Sequence, residues 1–416
     1  MGWVATARRA FTGLTLLLAC GGCSPGRLIE SARLGLEAAA GTTDPAAAEL
    51  SGTRRQATLA GQAGDLYQAS EPRAALLLVP GVTPEGRDDP RLIAFAEVLA
   101  RHGFLVFAPE FPGLRTQRVG PDEPGAIAAA GEALASCYAP GVRPRFAVAA
   151  ISYAVAPVVI AATMPPAQDR IALILGIGGY HDIVAAITYL TTGYYRPGPG
   201  QPWRIGKPEP IAKWVFVRAS VAQVPEEHDR ALLDAIAHAK LADPAADIRS
   251  LEAGLGSGGR AIMALVNNAD PDRVPALIRT LPDPVRRDIA FLDLSQRPLQ
   301  DVQARLLLIH GRDDPLVPAS ESVALAAAVP PGRAEVFVIG NLSHVEIRPG
   351  SVPDSLLMWR AAYRLLTLRN GMTVPDPTRC TLGDADATET AARARGMLQP
   401  VTSASTPNGS LGPVDR

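Results

Sequence analysis

The chain has almost no net charge. Its 40 Lys and Arg are offset by 41 Asp and Glu, leaving a formal charge of -1. The basic residues, nearly all Arg, are scattered along the sequence. Without a basic face there is no electrostatic footprint for nucleic acid, so no nucleic-acid partner is expected. Cysteine is scarce as well, with only Cys20, Cys23, Cys137 and Cys380. Cys20 and Cys23 form one Cys-x-x-Cys pair with neither a second pair nor His behind it, which argues against a zinc site. No metal and no other cofactor is expected. Long apolar runs are missing too: Phe11 to Leu18 falls well short of the roughly 20 residues that a spanning helix needs. No internal repeat is present, which sets aside solenoids and arrays.

What is present suits a packed globular protein. The 416 residues are 47% hydrophobic and 19% charged, enough for a sizeable core in one large domain or two smaller ones. Gly and Pro, 38 of each, gather in loops and in the tail.

The first residues read as an address. Arg8 and Arg9 precede the short apolar run, which ends in Ala19-Cys20; a charged segment followed by an apolar one builds an export signal. Leu17-Leu18-Ala19-Cys20 resembles a bacterial lipobox, in which the Cys becomes the lipidated first residue of the mature chain. Arg8-Arg9-Ala10-Phe11 resembles a twin-Arg signal. The resemblance implies removal of the leader of residues 1–20, lipidation of Cys20, and a protein held to a membrane surface by its lipid, in the periplasm or on the cell envelope. An ordinary cleaved signal, releasing a soluble secreted protein, is the alternative. In an oxidising compartment Cys137 and Cys380 could pair. Residues 21–53 read as a polar, Ala-rich tether with some helical character. Residues 381–416, rich in Ala, Thr, Ser and Gly, are expected to be disordered.

Between these ends the chain alternates strands and helices. Ala75 to Val79, Phe104 to Ala108, Phe146 to Ile151, Ile171 to Leu175, Leu306 to Ile309 and Glu335 to Ile339 are short apolar runs. Unbroken apolarity suits strands buried on both faces, as in a parallel sheet. Helical spacing lies between them. Asp89-Pro90 supplies a cap and a first-turn Pro ahead of Leu92, Phe95 and Leu99, and Gly103 stops that helix. Such alternation predicts a doubly wound, mostly parallel α/β sheet. The rhythm covers residues 54–181 and 301–371. Residues 182–300 break it with helical, Pro-punctuated segments, which predicts a cap inserted between the runs at Ile171 and Leu306, the place between the sixth and seventh strands in the family that the residues below resemble.

Three places carry candidate chemistry. The run Phe146 to Ile151 leads straight into Ser152-Tyr153-Ala154 and a helix. A Ser at a cramped strand-to-helix turn is held out at the carboxyl edge of the sheet, where the following helix offers its N–H groups to a developing oxyanion. A Ser that only caps the helix is the competing reading. The second place is His310-Gly311-Arg312-Asp313-Asp314-Pro315-Leu316-Val317-Pro318, with Asp314 the candidate acid and Asp313 its neighbour and rival. The third is Gly340-Asn341-Leu342-Ser343-His344, just beyond the last predicted strand, where His344 is the candidate base.

Ser152, Asp314 and His344, in that order on successive strand ends, resemble the triad of the α/β-hydrolase superfamily. The acid segment matches that family's H-G-x-x-D-x-x-V-P pattern at every fixed position. The elbow departs from G-x-S-x-G, with Ala150 and Ala154 in place of both glycines. In Val79-Pro80-Gly81-Val82, Pro80 stands where the family's oxyanion loop often has His. The resemblance implies a Ser-His-Asp esterase or lipase that works through an acyl-enzyme on a small-molecule or lipid ester. It also implies an oxyanion hole from the backbone N–H groups of Val82 and Tyr153. Gly81, His181 and Asp182 are expected to line the pocket, with Asp182 a possible second acid or simply the start of the cap. Apolar residues such as Trp203, Trp214, Val215, Phe216, Ile262, Met263 and Leu265 suit an apolar ester or pack the cap. An acyltransferase using the same triad, and a non-catalytic lipoprotein that binds with this fold, remain alternatives. Gly254-Leu255-Gly256-Ser257-Gly258-Gly259 resembles a dinucleotide fingerprint only superficially; it follows no predicted strand and reads as a flexible loop.

Overall fold

A computed structural model describes residues 24–43, 54–68, 71–116, 120–347 and 351–380. The expected export signal with Cys20, residues 21–23 and 44–53 of the expected tether, and the tail of residues 381–416 lie outside the described residues.

Eight strands form one sheet: β1 (Arg54–Leu59), β2 (Gln62–Tyr67), β3 (Ala74–Val79), β4 (Phe104–Pro109), β5 (Phe146–Ile151), β6 (Ile171–Ile177), β7 (Arg305–Gly311) and β8 (Ala334–Ile339). Their order is β1-β2-β4-β3-β5-β6-β7-β8. Only the pairs made by β2 are antiparallel; every pair from β4 to β8 is parallel. β3 and β4 are buried at all six positions, as unbroken apolarity requires when helices cover both faces. With a strand order that steps outward from β3, and the crossover between β3 and β4, this is the α/β-hydrolase fold.

Each face has its own core. On one, Leu77, Val79, Phe107 and Val148 pack against Ile127, Ala130 and Val158. On the other, Leu76, Leu78, Val106 and Ala149 pack against Leu99, Ala361 and Leu366. The helices that supply the second set are α2 (Pro90–Arg101) and α12 (Val352–Arg369). A third helix covers that face, α1 (Pro25–Thr43). The sequence reading had placed these residues in a tether. They are docked instead: Ser31 and Leu34 are buried, Arg369 of α12 is wholly buried and donates to Glu30 at 2.6 Å, and Trp359 donates to the Leu28 carbonyl. The hairpin β1–β2 also lies outside the apolar-run pattern. Its two-residue turn, Ala60 and Gly61, has positive φ at both positions, the requirement of a type I′ hairpin.

Between β6 and β7 the chain leaves the sheet for a helical layer: α5 (Ile183–Thr192), α6 (Ala212–Ser220), α7 (Glu227–Ala242), α8 (Ser257–Val266), α9 (Val274–Thr280) and α10 (Asp283–Leu292). (α3 is Glu123–Ala135, α4 Val155–Ala161 and α11 Ser320–Ala328.) The layer has its own core around Trp214, Leu233, Ile262 and Leu265. Gly254 to Gly259 is not a loose loop. The buried Asp229 accepts from the N–H of Gly259 at 2.7 Å and also from Gly256, so a carboxylate sits on the first turn of α8. Cys137 and Cys380 form a disulfide that ties the end of the described chain back to the sheet's other half.

Candidate active site

β5 leaves the carboxyl edge of the sheet and turns through Ser152–Ala154 into α4. The turn is so tight that Ser152 takes φ 55°, a left-handed conformation in which an L-residue's Cβ crowds the backbone. Among the described residues, only Ala60, Ser152 and His344 combine a side chain with positive φ. Ala60 belongs to the β1–β2 turn; the other two are candidate catalytic residues. Ala150 and Ala154, the departures from the glycine elbow, are fully buried. Room for Val155, next in the chain, comes from the segment just after β6. A Cβ on Gly179 would stand 2.4 Å from Cβ of Val155, closer than two carbons can approach. A glycine at 179 is therefore what lets the first residue of α4 pack against the end of β6.

β7 ends at Gly311 and delivers Asp314, which is 2% exposed. Its Oδ1 accepts from the N–H groups of Leu316 at 2.7 Å and Val317 at 3.0 Å. Its Oδ2 lies 2.8 Å from Nδ1 of His344. Burial alone would push this carboxyl up. Hydrogen bonds from His310 and His344, with their electrostatic attraction, outweigh that and hold it below the ordinary carboxylate range. Asp313, the rival acid, is exposed. His344 follows β8 with φ 52°, and its ring lies over Gly178. A Cβ there would come within 3.0 Å of Nδ1 and 3.5 Å of Oδ2 of Asp314, and Gly178 itself has φ 65°.

His310 is a functional neighbour that sequence reasoning used only as a marker of the motif. It is completely buried. Its Nε2 lies 2.9 Å from the Val317 carbonyl and 3.4 Å from Oδ2 of Asp314, and its Nδ1 lies 2.7 Å from the Ser322 hydroxyl. With the Nε2 proton donated towards Val317 and Asp314, the ring fixes both the loop and the carboxylate.

Ser152, Tyr153, Gly81, Val82 and His344 line one cavity of about 610 Å³, within the range of about 300–1,000 Å³ common for small-molecule sites. A Cβ on Gly81 would lie 3.6 Å from Cβ of Ser152, so the turn after β3 abuts the elbow. The expected pocket residues His181 and Asp182 are not in the lining. The Asp182 carboxylate caps α5, accepting from Val184 at 2.8 Å and Ala185 at 3.0 Å, which also removes it as a second acid. Of the apolar residues assigned to the layer, Val215 and Phe216 line the cavity. Trp214, Ile262, Met263 and Leu265 fill the layer's own core, and Trp203 stacks with Arg196.

Behind Asp182 lies Glu321, which accepts from the N–H groups of His181 at 3.0 Å and Asp182 at 2.8 Å. Burial nevertheless pushes its carboxyl up to about 7 from the ordinary 4.5. The folded chain therefore binds this proton more tightly than the unfolded chain does, and stability falls as pH rises between those values. Glu321→Gln keeps an acceptor for both N–H groups and removes the buried charge. It is expected to exceed wild type in stability at pH 8 by about 1–3 kcal/mol. The difference should close in acid, as read by denaturant unfolding at the two pH values.

No family model matches the chain, and no curated protein matches it. Solved structures do align. A meta-cleavage product hydrolase from Pseudomonas fluorescens is 17% identical over 76% of this chain and 97% of its own, with a TM-score of 0.41. An esterase from Rhodococcus is 16% identical over 77% of this chain and 100% of its own, with a TM-score of 0.37.

Proposed function

We propose that the chain is a serine hydrolase of carboxylic esters, with Ser152 as nucleophile, His344 as base and Asp314 as the acid that orients the base. The observation that carries this reading is the 2.8 Å bond between Asp314 Oδ2 and His344 Nδ1, with His344 and Ser152 lining the same apolar cavity. Donating Nδ1–H to a buried carboxylate leaves Nε2 unprotonated and available to Ser152. His344 takes the hydroxyl proton as Oγ attacks the ester carbonyl, and returns it to the departing alcohol. The N–H groups of Val82 and Tyr153 receive the oxyanion. Water, deprotonated by the same His344, then releases the acid from Ser152. The positive φ at Ser152 and at His344 fits this assignment, since backbone strain gathers where a side chain must be held for chemistry. In this reading the helical layer between β6 and β7 is the cap. The export signal and a lipid on Cys20 hold the enzyme at an envelope membrane. Covalent labelling with a fluorophosphonate, mapped by peptide mass spectrometry, tests the assignment; a folded chain that takes no label on Ser152 defeats it. Acyl transfer in place of hydrolysis would appear as a new ester when an alcohol is added to the assay.

Gly178 makes a prediction of its own. Any side chain there meets the His344 ring and must also adopt φ 65°. Gly178→Ala is expected to displace the imidazole and lower kcat by about 10²-fold, with kcat falling more than KM rises, in steady-state kinetics on a short aryl ester.

A further inference from the structure

The cavity at Ser152 runs in two directions. One arm lies beneath the helical layer, against α5, α6 and α10. The other descends the sheet face that carries Ile177 and Ile309, between α2 and α12. α1 roofs this second arm, and every residue that α1 and α12 place on its wall is apolar: Leu34, Gly35 and Ala38 from α1, and Met358, Ala361, Ala362 and Leu365 from α12. Arg91, the one cation that α2 adds to the lining, is tied to Asp89 at 2.6 Å. The walls are themselves buried, with Leu34, Ala361 and Leu365 each at 6% exposure or less.

The arm beneath the layer is also walled by apolar side chains, among them Ile187, Val215, Phe216 and Ile289, but it adds polar atoms. Tyr153, Tyr180 and Gln223 line it, and each holds a buried side-chain oxygen without a hydrogen-bond partner. Asp288 lies there too, its carboxyl pushed up by burial. A buried polar atom without a partner is costly, and a ligand's polar groups would relieve it.

We propose that the arm under α1 holds the long, unbranched acyl chain of the ester, and that the arm under the helical layer holds a polar alcohol portion. The inference rests on the serine-hydrolase reading and adds the substrate class, a fatty-acyl ester of a polar alcohol. The order of events favours this allocation. The acyl group stays bonded to Ser152 until water arrives, whereas the alcohol must leave first. A leaving group lodged in the buried arm would have to pass the acyl-enzyme on its way out. Small residues on the α1 wall keep the arm open: a Cβ on Gly35 has Met358 Cγ as its nearest atom, at 3.9 Å. A side chain at Gly35 therefore projects into the arm without displacing backbone, and Gly-to-larger changes inside a helix favour the helix itself.

The test uses the mature chain and p-nitrophenyl esters of acetate, octanoate and dodecanoate. Wild type is expected to show kcat/KM rising with chain length. Gly35→Phe and Ala38→Phe, each checked for cooperative thermal unfolding, are expected to cut the dodecanoate-to-acetate ratio of kcat/KM by about tenfold or more, since filling a hydrophobic pocket by even one methylene's worth costs that much. A flat chain-length profile in wild type, or an unchanged ratio in both folded variants, overturns the acyl arm and leaves the hydrolase standing. Acetate esters of ethanol, octanol and dodecanol form the mirror series; kcat/KM that rises along it instead reverses the allocation and overturns it equally. No turnover of any ester, with no label on Ser152, overturns the hydrolase reading and the acyl arm together.

Discussion

Ser152→Ala is expected to lose ester hydrolysis by a factor of about 10⁴ or more in kcat, with KM nearly unchanged, and to take up no fluorophosphonate. Every covalent step in the proposed sequence passes through the Ser152 oxygen, so nothing replaces it. What survives is the modest acceleration from substrate binding and from the N–H groups at the turn. The variant should stay folded. Alanine at φ 55° meets the same backbone strain as serine, and the packing that forces the turn belongs to Ala150, Ala154 and Val155, which are all buried. Unchanged melting with lost turnover isolates the chemistry. Retained turnover in a chain with Ala at 152 would mean that the activity belongs to another group, and the geometry around His344 would then need a different partner.

The parts of this fold that could be read in the sequence are those buried on both sides. Strands β3, β4 and β5 are nearly continuous apolar runs because every position on them except Ile151 at the cavity is buried, and apolarity is all that is needed to find them. β1 and β2 defeat that signal. They begin with Arg54 and Arg55, pair antiparallel at the sheet's edge, and turn on Ala60-Gly61, a pair with none of the usual Asn-Gly cue. α1 fails for a subtler reason. Its inner face is Ser31, Leu34, Gly35 and Ala38, mostly small residues chosen for close approach, so its amphipathicity is faint and it reads as tether. At the site, residue type and order single out Ser152, Asp314 and His344 as candidates, and the fold brings Asp314 against His344. The supporting contacts were not legible. Gly178 under the His344 ring and Gly179 against Val155 exist only once the strands lie side by side, because each joins residues far apart in the chain, and His310, four residues before Asp314, shows its role only once the loop folds back on it. Asp182 stands at the right strand end, but its side chain caps the helix that follows, and the His181 N–H is held by Glu321, 140 residues on.

Asp314→Asn is expected to lower kcat by about 10⁴-fold, again with little change in KM. The two N–H groups of Leu316 and Val317 require an acceptor at Oδ1, so the amide oxygen of Asn must face them. Its NH₂ group then faces His344 Nδ1, where Oδ2 stood 2.8 Å away. A donor at that place selects the wrong tautomer: Nδ1 becomes the acceptor, the ring proton moves to Nε2, and the base is gone. A pH readout separates this from simple damage. In wild type the Asp314 carboxyl is held below its ordinary range, so the unfolded chain takes up its proton at higher pH than the folded chain. Stability therefore rises with pH through the acid window and is lost as pH falls through the folded value. Asp314→Asn removes that contribution, and its stability deficit should shrink steadily on acidification. Asp313→Asn, at the exposed neighbouring carboxylate, is expected to change neither turnover nor this slope. Equal losses from the two substitutions would mean that the pair acts through charge alone, and that the short bond to His344 does not set the tautomer.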